Sequence, residues 1–264
     1  RNRTSPFAFT GNKFEFRMCG SQQNLSDPNM VLNTAVAEML DEFATLMEQV
    51  PEEEFASSAL AWIKDTLTAH QRIIFNGNGY SEEWPKEAEK RGLLNLRTTA
   101  DALPAITKPE NLAFFSKYGV LDEAESTARY VAKAEQYAKL LNIEANTMVY
   151  MVRHYYLPAL YDYSGDLAQT VATKEAIGIQ SPAERGLLAE LTDGITLITQ
   201  LADSLEVKNK EAQAIEDPGL LDDAYRDVVI PAMEALRAPV DAMEQVVGHE
   251  YWPFPSYNRM LFYV

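Results

Sequence analysis

Residues 13–18 alternate with a period of two. Lys13, Glu15 and Arg17 fall on one face, and Phe14, Phe16 and Met18 on the other, which predicts a short strand. Asp27-Pro28 then reads as an N-cap followed by a first-turn proline. Apolar residues recur at helical spacing after it (Val31, Leu32, Ala35, Val36, Met39, Leu40, Phe43, Leu46) until Pro51, predicting a helix with that face buried. A second helix is predicted over residues 55–70 with Trp62, Ile63 and Leu67 inward, and the acidic run Glu52-Glu53-Glu54 suits its positive end. Asn76-Gly77-Asn78-Gly79 predicts a turn, and residues 80–130 read as short helices broken at Gly92, Pro104, Pro109 and Gly119.

From Val131 onward the texture changes. Val131, Ala134, Ala138, Leu141, Ala145, Met148, Val152 and Tyr155 form a heptad seam, and Leu188, Leu191, Ile195, Ile198, Ala202 and Leu205 repeat it. A third stretch, residues 222–247, carries Tyr225, Val229, Leu236, Val240, Met243 and Val247, with Pro231 and Pro239 expected to kink it. Two long heptad helices and a partner predict a helical bundle or antiparallel coiled coil. The tail Trp252-Pro253-Phe254-Pro255-Ser256-Tyr257 is expected to lie extended against the body. The fold class read from the pattern is mainly α, a small α/β portion joined to a helical bundle.

Composition bounds this picture without changing it. The 264 residues are 47% hydrophobic and 23% charged, an ordinary globular balance that excludes wholesale disorder. The formal charge is −16, a surface that repels a phosphate backbone, so no nucleic-acid partner is expected. Charge is uneven: residues 1–130 carry 13 basic and 19 acidic side chains, and residues 131–264 carry 10 and 20. Residues 1–17 reverse the sign, with Arg1, Arg3, Lys13 and Arg17 facing only Glu15. An anionic ligand would be drawn to that island. No apolar run approaches 18 residues and no signal-peptide stretch follows the opening arginines, so neither a membrane span nor secretion is expected. Cys19 is the only cysteine, which excludes an internal disulfide and fits a reducing, cytoplasmic location. The opening lacks a Met and falls within what looks like a functional loop, so the chain is read as the C-terminal piece of a longer protein.

The strand at residues 13–17 is the sharpest candidate for chemistry. Residues at i, i+2 and i+4 share a sheet face about 6–7 Å apart. A carboxylate there offers hard oxygen ligation to a divalent metal, and flanking cations grip phosphate or carboxylate. Such a row suits phosphoryl transfer. The competing explanation is a solvated edge strand whose alternating charges prevent aggregation, and pattern by itself favours it. The Gly77-Asn78-Gly79 stretch lacks a Walker lysine and Rossmann spacing, so a plain turn is favoured over an anion cradle. His70, His154 and His249 show no ligand spacing, and Cys19 has no base partner near it in sequence. Tyr150, Tyr155, Tyr156, Tyr161 and Tyr163 read as helix-packing residues.

The segment Asn2-Arg3-Thr4-Ser5-Pro6-Phe7-Ala8-Phe9-Thr10-Gly11-Asn12-Lys13-Phe14-Glu15-Phe16-Arg17 resembles the end of a glutamine synthetase active site, where an Asn-Arg loop leads into a strand of the Arg-Ile-Glu-Val-Arg type. Two further segments look like the type III class: Ile73-Ile74-Phe75-Asn76-Gly77-Asn78-Gly79-Tyr80-Ser81-Glu82-Glu83-Trp84, and the tail from Trp252 to Phe262. The resemblance implies a ligase that joins L-glutamate and ammonia using ATP through a γ-glutamyl phosphate, with Mg2+ or Mn2+. By this resemblance Glu15 is a metal ligand, and Arg17 binds the glutamate carboxylate and the transferred phosphoryl group. Arg3 and Lys13 would lie on the ATP side. Lys13 replaces an arginine of the family and loses its bidentate fork, and Ala8 stands where the family commonly has another arginine. Residues 1–127 then correspond to the end of the catalytic domain and residues 128–264 to a helical extension that takes part in dodecamer assembly. The remaining catalytic machinery would precede residue 1, so the piece by itself is expected to be inactive. The alternative from a different class is a non-catalytic helical scaffold that self-associates through its seams.

Overall fold

The computed structural model describes residues 7–9, 14–16, 25–79 and 81–262. Two strands, β1 (Phe7–Phe9) and β2 (Phe14–Phe16), pair antiparallel. The rest is helical: α1 (Ser26–Met47), α2 (Phe55–Ala69), α3 (Glu83–Lys90), α4 (Thr99–Ala102), α5 (Pro109–Lys117), α6 (Glu123–Met151), α7 (Leu157–Ala176), α8 (Pro182–Gln213), α9 (Pro218–Ala224), α10 (Ile230–Glu244) and α11 (Tyr257–Leu261). The fold is thus mainly α. Residues 1–97 with 109–123 form one compact unit, and residues 98–108 with 124–264 form another. No helix of the described residues is long and apolar enough to cross a membrane.

In the first unit the helices form where the spacing puts them, but their faces differ from expectation. α1 begins at Ser26, so Asp27 lies inside its first turn, where its charge meets the positive end of the helix dipole. Phe43 packs on Trp62 with ring centroids 4.9 Å apart and edge-on to Phe55 at 6.4 Å. Beyond that contact the expected face is open. Val31, Val36, Met39, Leu40 and Leu46 of α1 are exposed, as are Ile63 and Leu67 of α2. The residues that α1 buries are Thr34 and Met47. The run Glu52–Glu54 makes a 3-10 turn ahead of α2. Gly92 and Gly119 end α3 and α5 at φ +69 and +62, a conformation that favours glycine and closes a helix C-terminus. Pro109 opens α5 rather than breaking a helix.

In the second unit α8 is the central helix, packed chiefly against α7 and α10. Leu191, Ile198, Ala202 and Leu205 are at most 1% exposed, so the second heptad seam lies where its spacing puts it. From α6 come Ala134, Ala138, Ala145 and Val149, followed by Val152 just after it, and from the third stretch Tyr225, Val229, Leu236, Val240, Met243 and Val247, all buried. A Cβ on Gly194 would sit 2.6 Å from the Met243 sulfur, so this glycine lets α10 approach α8 closely.

Two π-helical turns interrupt the long helices, at Val152–Tyr156 and Tyr225–Val229. Each ends two residues before a proline, Pro158 and Pro231. Proline removes an N–H and crowds the carbonyl four residues back, and widening the preceding turn accommodates both effects. The first turn also shifts the seam. Tyr155 was expected in it, but Tyr155 is exposed and the core continues through Leu157 and Leu160, with Tyr156 half-buried against it. Tyr150 and Tyr161 are exposed too, so the tyrosine-rich stretch is only partly a packing surface. The tail returns against the body as expected, with Trp252 buried against Tyr156 at 5.2 Å and Phe254 meeting Tyr155 and Tyr156, but Tyr257 opens α11 instead of lying extended.

Candidate functional site

The backbone register puts Phe7 opposite Phe16, Ala8 opposite Glu15 and Phe9 opposite Phe14. Glu15 is therefore the central residue of β2. The position directly across from it is Ala8, where the resembled family commonly has arginine. Arg3, Lys13 and Arg17 lie outside the described residues, as does Cys19. Among the described residues no group of three or more His, Cys, Asp or Glu side chains could hold a metal ion. His70, His154 and His249 are exposed and lie on separate elements, and the His154 ring lies tilted against Tyr150 with centroids 4.4 Å apart.

The Gly77 loop has a packing explanation. A Cβ on Gly77 would fall 2.6 Å from the Phe75 ring, and Phe75 itself stacks on Trp84 at 4.0 Å. Arg91 ties the segment down by donating to the Ile74 carbonyl at 2.9 Å while its Nε meets Glu87 at 2.7 Å. That contact holds the Glu87 carboxyl below its ordinary value. Lys86 and Lys90 line the adjoining hollow, but so do Glu83 and Glu87, so it has no net attraction for an anion. The turn reading fits and the anion cradle does not.

The sequence reading missed a buried polar group in the bundle. Asn209 of α8 is 2% exposed and its amide donates to Asn142 at 2.8 Å and Asn146 at 3.2 Å on α6. Its oxygen accepts from the Tyr225 hydroxyl at 3.2 Å, and Gln213 adds a bond to Asn142. Tyr225 titrates above its ordinary value because burial disfavours the phenolate. A polar residue in a heptad seam fixes register rather than adding chemistry. The signal was available, since Asn209 continues the spacing from Leu205 to Ala212. Asp222 was also missed. It is buried with Oδ1 unpartnered, and burial, with Asp223 beside it, pushes its carboxyl up to about 7.

Comparison with known proteins agrees with the motifs. Residues 59–175 match the glutamine synthetase C-terminal domain family. A type-3 glutamine synthetase of Dictyostelium discoideum is 36% identical over 272 residues, covering 99% of this chain. Glutamine synthetases of Bacteroides fragilis and Butyrivibrio fibrisolvens are 30% and 33% identical, again over 99% of the chain. The chain spans 37% to 38% of the length of these three relatives. The chain therefore belongs to the glutamine synthetases, and it corresponds over its whole length to the C-terminal portion of the type III class.

Proposed function

We propose that this chain is the C-terminal part of an ATP- and divalent-metal-dependent glutamate–ammonia ligase that makes L-glutamine. The observation that carries the reading is similarity to glutamine synthetases over 99% of the chain, including the strand with Glu15 at its centre. In the reaction the γ-carboxylate of glutamate takes the terminal phosphoryl group of ATP, releasing ADP, and ammonia then displaces phosphate from the γ-glutamyl phosphate. Glu15 supplies a hard oxygen donor suited to Mg2+ or Mn2+. The metal supplies neutralisation of phosphate charge as the phosphoryl group moves. Arg17 binds the glutamate carboxylate and the transferred group, and Arg3 and Lys13 hold nucleotide phosphates, as their positions in the resembled motif imply. One carboxylate is too few for a metal site, so the other ligands come from elsewhere in the longer enzyme.

Residues 1–127 are read as the end of the catalytic domain and residues 128–264 as a helical extension. The apolar faces left open on α1 and α2 support the first assignment, because such a face belongs against further chain. The scaffold alternative draws on the heptads, but α8 spends its seam on α7 and α10 of the same chain. Self-association, including a dodecamer, would use other surfaces. The test is ATP-dependent glutamine formation by the full-length protein, alongside size-exclusion chromatography and crosslinking of residues 128–264. Ligase activity is expected. Its absence, together with a defined oligomer of residues 128–264, would replace the ligase with the scaffold.

A further inference from the structure

Asp222 is a carboxylate that the fold buries without supplying a cation. It lies on α9 and is 2% exposed, and its Oδ1 has no hydrogen-bond partner. The local sequence puts it there. Asp217 caps α9 by accepting from the Leu220 N–H at 2.9 Å, and Pro218 sets the first turn. Leu221, Ala224 and Tyr225 then pack into the core around it. α9 also packs on α4, which Thr98 caps by accepting from the Asp101 N–H at 3.1 Å.

The charged and titratable groups around it are mostly acidic or neutral. α6 brings Tyr130 and Tyr137, whose hydroxyls burial raises first and the Asp222 charge next. α4 brings Asp101, and α9 itself carries Asp217 and Asp223. The following π-turn brings Asp227 and Arg226. Arg226 is already held by Asp101 at 2.8 Å, Asp223 at 2.9 Å and Asp227 at 2.6 Å. Lys133 lies on the same strip of α6 as the two tyrosines and is itself engaged, and the charge that acts on Asp222 is that of Asp223. At the end of α8, Asn209 is uncharged and Lys210 is bound to Glu206 at 2.7 Å.

We propose that Asp222 is a proton-operated latch: uncharged, it keeps α9 and residues 98–108 seated on the bundle, and ionised it releases them. The physical reason is that a buried anion with no counter-charge and an unpaired oxygen costs more than its seated helix gains. The upward shift to about 7 puts the change near neutrality. This device is independent of the ligase reading, since it uses no group of the strand at residues 13–17.

Hydrogen exchange of the whole chain at about pH 6 and about pH 8.5, corrected for intrinsic rates, tests the latch. Protection of residues 98–108 and 218–229 is expected to fall about tenfold over that range, while Asp222→Asn, a neutral shape mimic, removes the pH dependence. Asp223→Asn should keep a pH dependence. Equal pH dependence in wild type and Asp222→Asn, or none in wild type, overturns the proposal. Should the Asn variant not fold, the carboxyl carbon resonance of wild-type Asp222 decides it. A midpoint near 7 supports the latch, and a midpoint in the ordinary aspartate range refutes it.

Discussion

Asn209 occupies a position where the heptad spacing of α8 calls for an apolar side chain, and the fold answers with Asn142, Asn146 and Tyr225. Removing it takes the acceptor from the buried Tyr225 hydroxyl, and an unsatisfied buried polar group costs about 1–3 kcal/mol. Asn209→Ala should therefore lower stability by that amount in urea denaturation, and an unchanged midpoint would show the cluster to be idle. Asp222 makes a signed prediction. Its folded pKa is about 7, above the unfolded value near 4, so its stabilising contribution is complete below about 4 and is lost as pH rises through about 7. Chain stability should fall across that window, and Asp222→Asn should flatten the fall. Asn209 was legible from spacing, while Asp222 was not. An Asp four residues after Pro218 reads as a surface residue of a short helix, whereas the groups near it, α4 packed on α9 and Tyr130 and Tyr137 of α6, are remote in sequence. The strand Phe14–Phe16 was legible for the opposite reason, because a period of two shows itself within a few residues; the role of Glu15 in it is the proposal made above.

At the scale of elements, the seams behaved as periodicity says they must, and departures have local causes. α8 tests the point within one helix. Leu205 is fully buried and Leu197 is 46% exposed. Leu205→Ala should cost about 2–5 kcal/mol, and Leu197→Ala should stay within about 0.5 kcal/mol, both by chemical denaturation. Equal costs would mean that α8 is not seated as described. The seam of α6 failed at Tyr155 because the π-turn at Val152–Tyr156 absorbs an extra residue, and a fixed heptad count passes straight through such a turn. Pro158 and Pro231 are the visible marks of both turns, so the signal lay in the prolines rather than in the hydrophobic spacing. The apolar stripe of α1 was read as buried by the same periodicity, yet much of it is open. Periodicity reports which face wants cover, and what covers it lies outside these 264 residues in the reading proposed above.

The two units differ in how far each closes its own core. Residues 98–108 with 124–264 bury a continuous cluster from Ala138 to Trp252, whereas α1 and α2 leave large apolar side chains in water. The chain is therefore expected to unfold in two steps, with amides of α1 and α2 losing protection first and those of α8 last under rising denaturant. A single transition with uniform protection would contradict that difference. The mainly helical fold and the bundle were legible from the sequence because they rest on local periodicity. The functional reading rests on a motif whose cations lie outside the described residues, so chemistry must test it. The most direct measurement is the rate of ATP-dependent glutamine formation by the full-length enzyme, titrated with Mg2+, in wild type and Glu15→Gln. The substitution keeps the shape and removes the anionic oxygen. A fall of at least about a hundredfold, the scale for losing a preorganised electrostatic contact, is the predicted result. Wild-type turnover with an unchanged Mg2+ dependence would contradict the assignment of Glu15 and with it the proposed role of this chain.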